Sequence, residues 1–438
     1  MTDVGDAVLG AIADWLPGRR WFPTRLTGVP LAVVDRLALT DPLGEARVEV
    51  LLLGAADDPR PPFVQVPLTF RVPGTVPAGL EPVAAVDGLE VLDGPSDPAF
   101  VRAWLAAASG DDALTASLDL SSHRLVTGEQ SNSSIIVRGA DGGPGGILKV
   151  FRGVWPGENP DVLVPAALAA TGWPHVPAPL AWLAHEAAGE TSHLGVLSRF
   201  VPGAQDGFEL ACAMAERGEP FDALGDALGV VIAELHERLA SALPVEPARS
   251  VTAAELTSHL HERLAWSVAQ APELGRWRAA VAELVTRLGE LAELPRLQRV
   301  HGDLHLGQLL RSPETWFVLD FEGEPMMSLA DRALPGIALR DVAGILRSFD
   351  YVAARAGADE SWTLTARSAF LRAYRREVPS AATREAALVL RAFEVDKALY
   401  EVVYETQNRP RWAEIPLRAL HRLVGSPHGG PGGGRVGA

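Results

Sequence analysis

Three polar residues with a defined spacing stand out in the stretch from residue 297 to 322. Asp303 and Gln308 are five residues apart in a turn that follows an apolar segment, and Asp320 ends a second apolar segment seventeen residues after Asp303. Phosphotransferases place in this order an Asp that takes the proton of the accepting hydroxyl, an amide that binds Mg²⁺, and a second Asp that binds Mg²⁺. The spacing therefore predicts phosphotransfer, with Asp303 as catalytic residue and Gln308 and Asp320 as metal ligands.

The same stretch also has a structural interpretation. Gly302 and Asp303 are ordinary turn residues, and the apolar segment before Asp320 would suit any buried strand. A structural turn, or a kinase-like interaction protein without activity, is therefore the alternative. The joint presence of acid, amide and second acid favours catalysis. We expect His301 to brace the loop, because Asp303 already supplies a base.

Lysine is rare in this chain and occurs only at positions 149 and 397, among 39 basic residues. A chain so rich in arginine is expected to keep lysine where a compact ammonium is needed. Lys149 lies in an apolar strand pattern, where such a side chain can reach nucleotide phosphates. The preceding turn contains three serines that would cover phosphates, namely Ser131, Ser133 and Ser134. These residues predict an ATP site, although neither GxxxxGK[ST] nor GxGxxG is present.

The residues described above must be positioned by secondary structure. The predicted elements are mainly strands in the first part of the chain and helices in the second. Apolar alternation between turn residues predicts strands from 28 to 95, a helix follows from 96 to 118, and further strands extend to residue 203. Helical periodicity dominates afterwards. Helices are predicted over 224–240, 253–269 and 274–291.

This pattern predicts four segments. They are an N-terminal cap subdomain at 1–95, an ATP-binding lobe at 96–203, a helical lobe with the catalytic loop and sugar site at 204–425, and a disordered Gly/Pro-rich tail at 426–438.

Composition excludes several classes of function. The 438 residues carry a formal net charge of −16 and show no basic stripe, which argues against a nucleic-acid partner. No apolar run reaches membrane-spanning length, and the N-terminus has no basic segment of a signal peptide. A single cysteine, Cys212, excludes an intrachain disulfide. We therefore expect a monomeric cytoplasmic protein with no membrane partner.

One face of the last long predicted helix carries groups suited to a sugar. Glu401, Glu405 and Asn408 recur at spacings of three and four, and Arg409 and Trp412 follow them. Planar polar groups bind neighbouring hydroxyls, and an indole stacks on the C–H face of a sugar ring. These five residues are the predicted substrate site. The alternative is a solvated helix face with i,i+4 charge pairs.

Taken together, these motifs resemble bacterial maltokinases. The resembling segments are HGDLHLGQ at 301–308, DFEGEP at 320–325, RDVAG at 340–344 and YEVVYE at 400–405. The resemblance implies an α+β, bilobal fold similar to protein kinases and aminoglycoside phosphotransferases, with an added N-terminal cap. It also implies Mg²⁺ and ATP as cofactors and transfer to the anomeric hydroxyl of maltose. Maltose 1-phosphate would enter glycogen synthesis, so association with glucan-synthesis enzymes is a further expectation.

Two points stay open at this level. Actinobacterial glucosamine kinases resemble the same family closely and phosphorylate the 6-hydroxyl of an amino sugar, so the acceptor is either maltose or glucosamine. The acid that pairs with Lys149 is the second point, because Leu163 stands where we expect a carboxylate. Asp161 and Glu158 are the candidates.

Overall fold

The computed structural model describes residues 4–110, 117–126, 132–140, 142–143, 145–187, 190–245, 252–323, 332 and 334–425. The chain divides into two compact units between Pro202 and Gly203. This division lies one residue from the boundary predicted between the ATP-binding lobe and the helical lobe. Ser131 and the predicted tail at 426–438 lie outside the described residues.

The first unit contains an antiparallel sheet, called here the cap sheet, within the predicted cap. Its strands are β1 (Leu31–Thr40), β2 (Arg47–Ala55), β3 (Phe63–Arg71), β4 (Ala84–Val86) and β5 (Leu89–Asp93), in the order β1-β2-β3-β5-β4. Leu51 and Leu53 of β2 face helix α1 (Val4–Ile12), whereas Val50 and Leu52 face a second core. Both faces of β2 are thus buried, which explains its nearly continuous apolar sequence.

A second sheet, called here the nucleotide sheet, completes the first unit. Its strands are β6 (Ser109–Gly110), β7 (Leu118–Leu125), β8 (Asn132–Gly139), β9 (Gly146–Phe151), β11 (Pro179–Ala187) and β12 (Glu190–Arg199), in the order β6-β11-β12-β9-β8-β7. The short strand β10 (Gly153–Val154) leaves this sheet and pairs with β3 of the cap sheet.

Helix α2 (Pro98–Ala107) is shorter than the predicted helix from 96 to 118. It begins where the side chain of Asp97 accepts a hydrogen bond from a backbone N–H, with a proline at the first helical position. It ends because the chain turns into β6, which pairs with β11. At Gly110 a Cβ atom would lie 2.3 Å from a backbone carbonyl of β11, so only glycine allows this approach. Helix α3 (Pro160–Ala170) packs on the opposite face of the nucleotide sheet.

The second unit is mainly helical. Its helices are α4 (Gly207–Glu216), α5 (Asp222–Ala242), α6 (Ala253–Gln270), α7 (Arg278–Gly289), α8 (Leu339–Ala356), α9 (Glu360–Glu377), α10 (Arg384–Asn408) and α11 (Glu414–Val424). The predicted helix at 274–291 is wrong in its first turns, which form a 3₁₀ segment at Pro272–Trp277 before α7. Gly275 within that segment disfavours an α-helix. Among the described residues, no helix is long and apolar enough to cross a bilayer.

A small sheet in the second unit positions the predicted catalytic residues. It consists of β13 (Gln205–Asp206), β14 (Leu309–Arg311) and β15 (Trp316–Val318), and Leu309 pairs with Val318. Leu309, Trp316 and Val318 are buried and anchor the hairpin in the core. The pairing brings the residues before β14 next to those after β15.

Candidate active site

The loop from His301 to Gln308, called here the catalytic loop, is held mainly through its backbone. The buried carboxylate of Asp341 in α8 accepts hydrogen bonds from the N–H of His301 at 2.8 Å and from that of Gly302 at 3.0 Å. The ring of His301 contacts the carbonyl of Leu319 at 2.8 Å. His301 thus braces the loop, as predicted from the sequence.

A chain of polar side chains continues from Asp341 into the helices. His236 in α5 lies 3.2 Å from the Asp341 carboxylate through Nε2 and 2.8 Å from the hydroxyl of Tyr374 in α9 through Nδ1. Burial alone would raise the pKa of Asp341, but the hydrogen bond and charge of His236, together with the loop, hold it below its ordinary value. A carboxylate that stays ionised accepts both loop N–H groups. Sequence analysis gave no role to His236 or Asp341.

Gln308 and Asp320 come together as their spacing predicted. The side-chain amide of Gln308 donates to Asp320 Oδ2 at 2.9 Å, and the N–H of Leu319 donates to the Gln308 carbonyl at 2.9 Å. Asp320 has a positive φ of 60°, a conformation that costs a non-glycine residue energy and that recurs at functional sites. The amide N–H of Gln308 is used by Asp320, so its oxygen and the Asp320 carboxylate form an oxygen-donor set that fits a hard cation such as Mg²⁺.

Two further polar residues accompany Asp303, which is itself half-buried. His305 accepts a hydrogen bond from the N–H of Gly307 through Nδ1. Burial lowers the pKa of His305 below its ordinary value, and the charge of Lys397 lowers it further. The second rare lysine, Lys397 in α10, lies beside the catalytic loop, because its Cε and the Leu304 carbonyl oxygen are both within 4 Å of the position that a Cβ on Gly344 would take. Its scarcity in the sequence was the only signal for it.

Lys149 forms an ion pair with Asp161, with 2.8 Å between Nζ and Oδ2. Asp161 lies in the first turn of α3, where Asn159 caps the helix. This pairing answers the question that the sequence left open between Asp161 and Glu158. Glu158 is exposed. The ammonium of Lys149 is thus oriented by a carboxylate on a neighbouring helix, as in kinases that bind ATP.

The two described serines of the predicted phosphate turn point to different faces of the nucleotide sheet. Ser134 is in register with Lys149 and shares its face, because directly paired residues of antiparallel strands lie on the same side. Ser133 is in register with Val150, on the opposite face, and its hydroxyl accepts a hydrogen bond from Arg152 at 2.9 Å. The structure therefore brings Ser134, but not Ser133, to the side of Lys149.

A pocket of about 640 Å³ lies at one end of the nucleotide sheet. Its lining includes Ile136 of β8 and, after β12, Phe200 and Pro202. Ile136 is two residues from Ser134 and therefore on the face of Lys149. Apolar side chains such as those of Ile136 and Phe200 suit a flat heterocycle.

The predicted substrate residues of α10 are mostly engaged with one another or with α8. Glu401 accepts a hydrogen bond from Arg347 Nε at 2.9 Å, and burial raises the pKa of Glu401 despite this pairing. Glu405 is buried and pairs with Arg409 at 2.6 Å. The contacts described for Glu401 and Glu405 are thus ion pairs within the second unit. The pair of Glu405 with Arg409 is an i,i+4 pair, as expected for the alternative interpretation of a solvated helix face.

The remaining two substrate residues lie near the end of α10. Asn408 is exposed and donates its side-chain amide to the carbonyl of Tyr404 at 2.8 Å. Trp412 stacks on Tyr351 with ring centroids 6.0 Å apart, and the guanidinium of Arg409 lies 5.0 Å from the Trp412 ring. All five predicted substrate residues are therefore within one continuous region of the second unit.

Comparison with known proteins agrees with the fold and with the phosphotransfer geometry. Residues 123–388 match the model of the phosphotransferase enzyme family, and residues 15–97 match the maltokinase N-terminal cap domain. The chain is 31% identical to a glucosamine kinase of Mycolicibacterium smegmatis, over 69% of this chain and 79% of the relative. It is 28% identical to a glucosamine kinase of Streptacidiphilus jiangxiensis, over 72% of this chain and 76% of the relative.

Solved structures support the same fold. A glucosamine kinase in complex with glucosamine, ADP and inorganic phosphate aligns with a TM-score of 0.63 and 24% identity, over 90% of this chain and 94% of that one. A second crystal form of a glucosamine kinase aligns with a TM-score of 0.65 and 23% identity, over 92% of this chain and 96% of that one. The chain therefore belongs to the phosphotransferase enzyme family, among its maltokinase-like, cap-bearing sugar kinases.

Proposed function

We propose that this sugar kinase transfers the γ-phosphate of ATP to the 6-hydroxyl of glucosamine. The observation that carries the proposal is the match, at 31% identity over 79% of its length, to a glucosamine kinase of Mycolicibacterium smegmatis. The second relative with the same name supports it independently. The acceptor is thus the amino sugar that sequence analysis kept as the alternative to maltose.

In this proposal the catalytic loop performs the proton transfer. Asp303 orients the acceptor hydroxyl and takes its proton while that oxygen forms the new bond to phosphorus and ADP leaves. The hydrogen bonds that the loop N–H groups of His301 and Gly302 donate to Asp341 fix the backbone that carries Asp303. Lys149, oriented by Asp161, neutralises phosphate charge, and Ser134 lies on the same face as Lys149.

Gln308 and Asp320 are the residues that would hold Mg²⁺. The ion, when bound, would neutralise negative charge on the nucleotide phosphates. The hydrogen bond between the two side chains pre-orients them for this role. Glu401, Glu405, Asn408, Arg409 and Trp412 are proposed to bind the sugar, with Glu401 and Glu405 held in place by Arg347 and Arg409.

Maltose is the second candidate acceptor, because residues 15–97 match a cap domain named after maltokinases. That reaction would phosphorylate the anomeric hydroxyl. In that case we would expect the protein to associate with glucan-synthesis enzymes. The two candidates share the catalytic residues and differ in the carbon that carries the phosphate.

The deciding experiment measures ADP formation with Mg²⁺ and ATP against glucosamine, N-acetylglucosamine, glucose and maltose, and locates the phosphate by NMR. Phosphate on C6 of glucosamine, with little turnover of the neutral N-acetyl analogue and of glucose, would support the proposal. Phosphate on C1 of maltose would replace it with the second candidate. No ADP formation with any sugar, combined with no ATP binding, would favour a non-catalytic interaction protein.

A further inference from the structure

Arg152 lies at the point where the chain passes from the nucleotide sheet to the cap sheet. It follows β9, which carries Lys149, and precedes β10, which pairs with β3. Gln65 of β3 reaches across this point, since its backbone N–H donates to the Arg152 carbonyl at 2.8 Å and its side chain donates to the Leu194 carbonyl at 2.8 Å. The cap sheet is thus bonded to the strand of the proposed ATP lysine within a single compact unit.

The guanidinium of Arg152 connects three segments although only 1% of the residue is exposed. Its Nε donates to the Ser133 hydroxyl at 2.9 Å, and its Nη2 donates to Asp93, the last residue of β5, at 3.1 Å. Its plane lies over the ring of Trp21, with 4.0 Å between Cζ and the ring centroid. Asp93 and Trp21 belong to the cap, whereas Ser133 belongs to β8 of the nucleotide sheet.

The backbone of Arg152 adds a further hydrogen bond, which joins the end of β9 to the start of β8. The N–H of Arg152 donates to the side-chain oxygen of Asn132 at 3.4 Å. Asn132 and Ser133 are the first two residues of β8, and Ser134, the next one, is in register with Lys149. The side chain of Arg152 therefore fixes the start of β8 relative to Lys149, which lies three residues before Arg152 in the chain.

From this arrangement we infer that Arg152 is a positioning residue through which the cap controls nucleotide binding. The inference rests on the proposed function, in which Lys149 and Ser134 contact ATP. Asp93 and Trp21 hold the guanidinium, the guanidinium holds Ser133, and Ser133 holds the start of β8 against β9. The cap thereby acts on ATP affinity without touching the nucleotide.

The physical basis is the geometry of arginine and the burial of this guanidinium. A planar fork with several N–H donors can bridge Asp93 and Ser133 at once, which a lysine ammonium cannot do with the same geometry. Burial lowers the pKa of Arg152, whereas Asp93 raises it. Loss of either partner would leave donors of a buried cation unsatisfied, so the guanidinium would shift and β8 with it.

The test compares the ATP dissociation constants of Ser133→Ala, Asp93→Asn and Glu49→Gln in the full-length protein, measured by calorimetry without acceptor. Ser133→Ala removes one hydrogen bond and is expected to weaken ATP binding by about three- to tenfold. Asp93→Asn is expected to weaken it at least as much. Glu49→Gln is the matched control, because Glu49 is a buried cap-sheet carboxylate that pairs with Arg36 and Arg47 instead.

Thermal unfolding of each variant separates positioning from general destabilisation. The inference holds if Glu49→Gln lowers the melting temperature but keeps the wild-type ATP affinity, while Ser133→Ala loses affinity at an equal or smaller fall in melting temperature. Wild-type ATP affinity in both Ser133→Ala and Asp93→Asn would overturn it, as would affinity that follows melting temperature in all three.

A fourth variant, Lys149→Ala, identifies which assumption fails. If Lys149→Ala binds ATP normally, the nucleotide site is elsewhere and the proposed function is at fault, so the inference falls with it. If Lys149→Ala loses ATP binding while Ser133→Ala and Asp93→Asn keep it, only the role of Arg152 is refuted.

Discussion

Asp303 owes its position to residues that are far from it in the sequence. Asp341 holds the two N–H groups before it, and His236 and Tyr374 support Asp341 from two other helices. Buried polar groups with complete hydrogen bonding specify one arrangement of the groups they join. The catalytic loop is therefore prepared for phosphotransfer before any substrate binds.

Replacing Asp303 by Asn should remove the proton acceptor while keeping the size of the side chain. We expect turnover to fall by about 10²- to 10⁴-fold, the usual contribution of a general base. The ATP dissociation constant should stay within about twofold of the wild type, because the backbone bonds of the loop are unchanged. Steady-state kinetics and calorimetry on the same sample measure both quantities. Ordinary turnover in this variant would remove Asp303 from the mechanism.

Asp161 and Glu158, the two acids considered from the sequence as partners of Lys149, provide a matched pair for a test. Asp161→Asn removes the carboxylate that orients the ammonium and should raise the ATP dissociation constant about tenfold, as expected for a charge-assisted hydrogen bond. Glu158→Gln changes an exposed residue and should leave it unchanged. Fluorescence titration with a nucleotide analogue compares the two. Tighter binding by Asp161→Asn would mean that Asp161 competes with phosphates for Lys149.

At the scale of elements, two helix glycines set how closely the backbones approach. A Cβ on Gly344 of α8 would lie 2.0 Å from the carbonyl oxygen of Leu304 in the catalytic loop. A Cβ on Gly229 of α5 would lie 2.4 Å from the carbonyl oxygen of Phe370 in α9. Both contacts are far shorter than real Cβ contacts, so alanine at either site forces the backbones apart.

These two glycines allow stability and catalysis to be tested separately. Gly344→Ala and Gly229→Ala should each destabilise the fold by about 1–3 kcal/mol through overpacking. Gly344→Ala should also lower turnover at least tenfold, because it displaces the residue next to Asp303. Gly229→Ala should keep near-wild-type turnover below its melting temperature. Urea unfolding and kinetics at low temperature distinguish these results, and equal turnover in both variants would contradict the account.

The elements show which features the sequence could predict and which it could not. Apolar alternation and helical periodicity located most strands and helices, since these patterns are local. The early end of α2 depends on pairing of Gly110 with β11, and the bond between His236 and Asp341 joins residues 105 positions apart. Such contacts exist only after the chain has folded. The spacing of Asp303, Gln308 and Asp320 was informative because one hairpin joins them.

Asp97, at the start of α2, should contribute to the stability of the fold in a way that depends on pH. It caps α2 and accepts two hydrogen bonds from Arg71, at 2.7 Å each. Burial would raise the pKa of Asp97, but these bonds hold it below its ordinary value of 3.8. A carboxyl whose pKa is lowered in the folded state stabilises the fold above pH 3.8 and loses this contribution as pH falls toward the lowered value.

Asp97→Asn should therefore lower the free energy of unfolding at pH 7 by about 3–5 kcal/mol, since it leaves the buried Arg71 with only the more distant, half-exposed carboxylate of Glu45 at 3.7 Å. The difference from wild type should shrink as pH falls below 3.8, where the carboxyl of the unfolded wild-type chain takes up a proton before that of the folded protein does. Urea unfolding of both proteins from pH 7 down to pH 3 measures the difference. A difference that stays constant or grows toward low pH would contradict the assignment.

At the scale of the whole molecule, the proposed function predicts that Mg-ATP stabilises the folded protein. Lys149 and Ser134 belong to the first unit, and Gln308 and Asp320 belong to the second. A ligand that binds only the folded state stabilises it by about 2.7 kcal/mol at a hundredfold excess over its dissociation constant. Mg-ATP should therefore raise the melting temperature of whichever unit binds it.

The size of that rise reports how the units unfold. From the average unfolding entropy per residue, 2.7 kcal/mol corresponds to about 6 °C for a unit of about 200 residues and about 3 °C if the entire chain unfolds together. Differential scanning calorimetry with ATP and Mg²⁺, ATP and EDTA, and EDTA alone measures the shifts. We expect EDTA to remove most of the stabilisation, because it removes the cation that Gln308 and Asp320 are proposed to hold and that would neutralise phosphate charge. An equal shift with ATP and EDTA would show that the metal assignment is wrong. A shift confined to one of two resolved transitions would restrict nucleotide binding to a single unit.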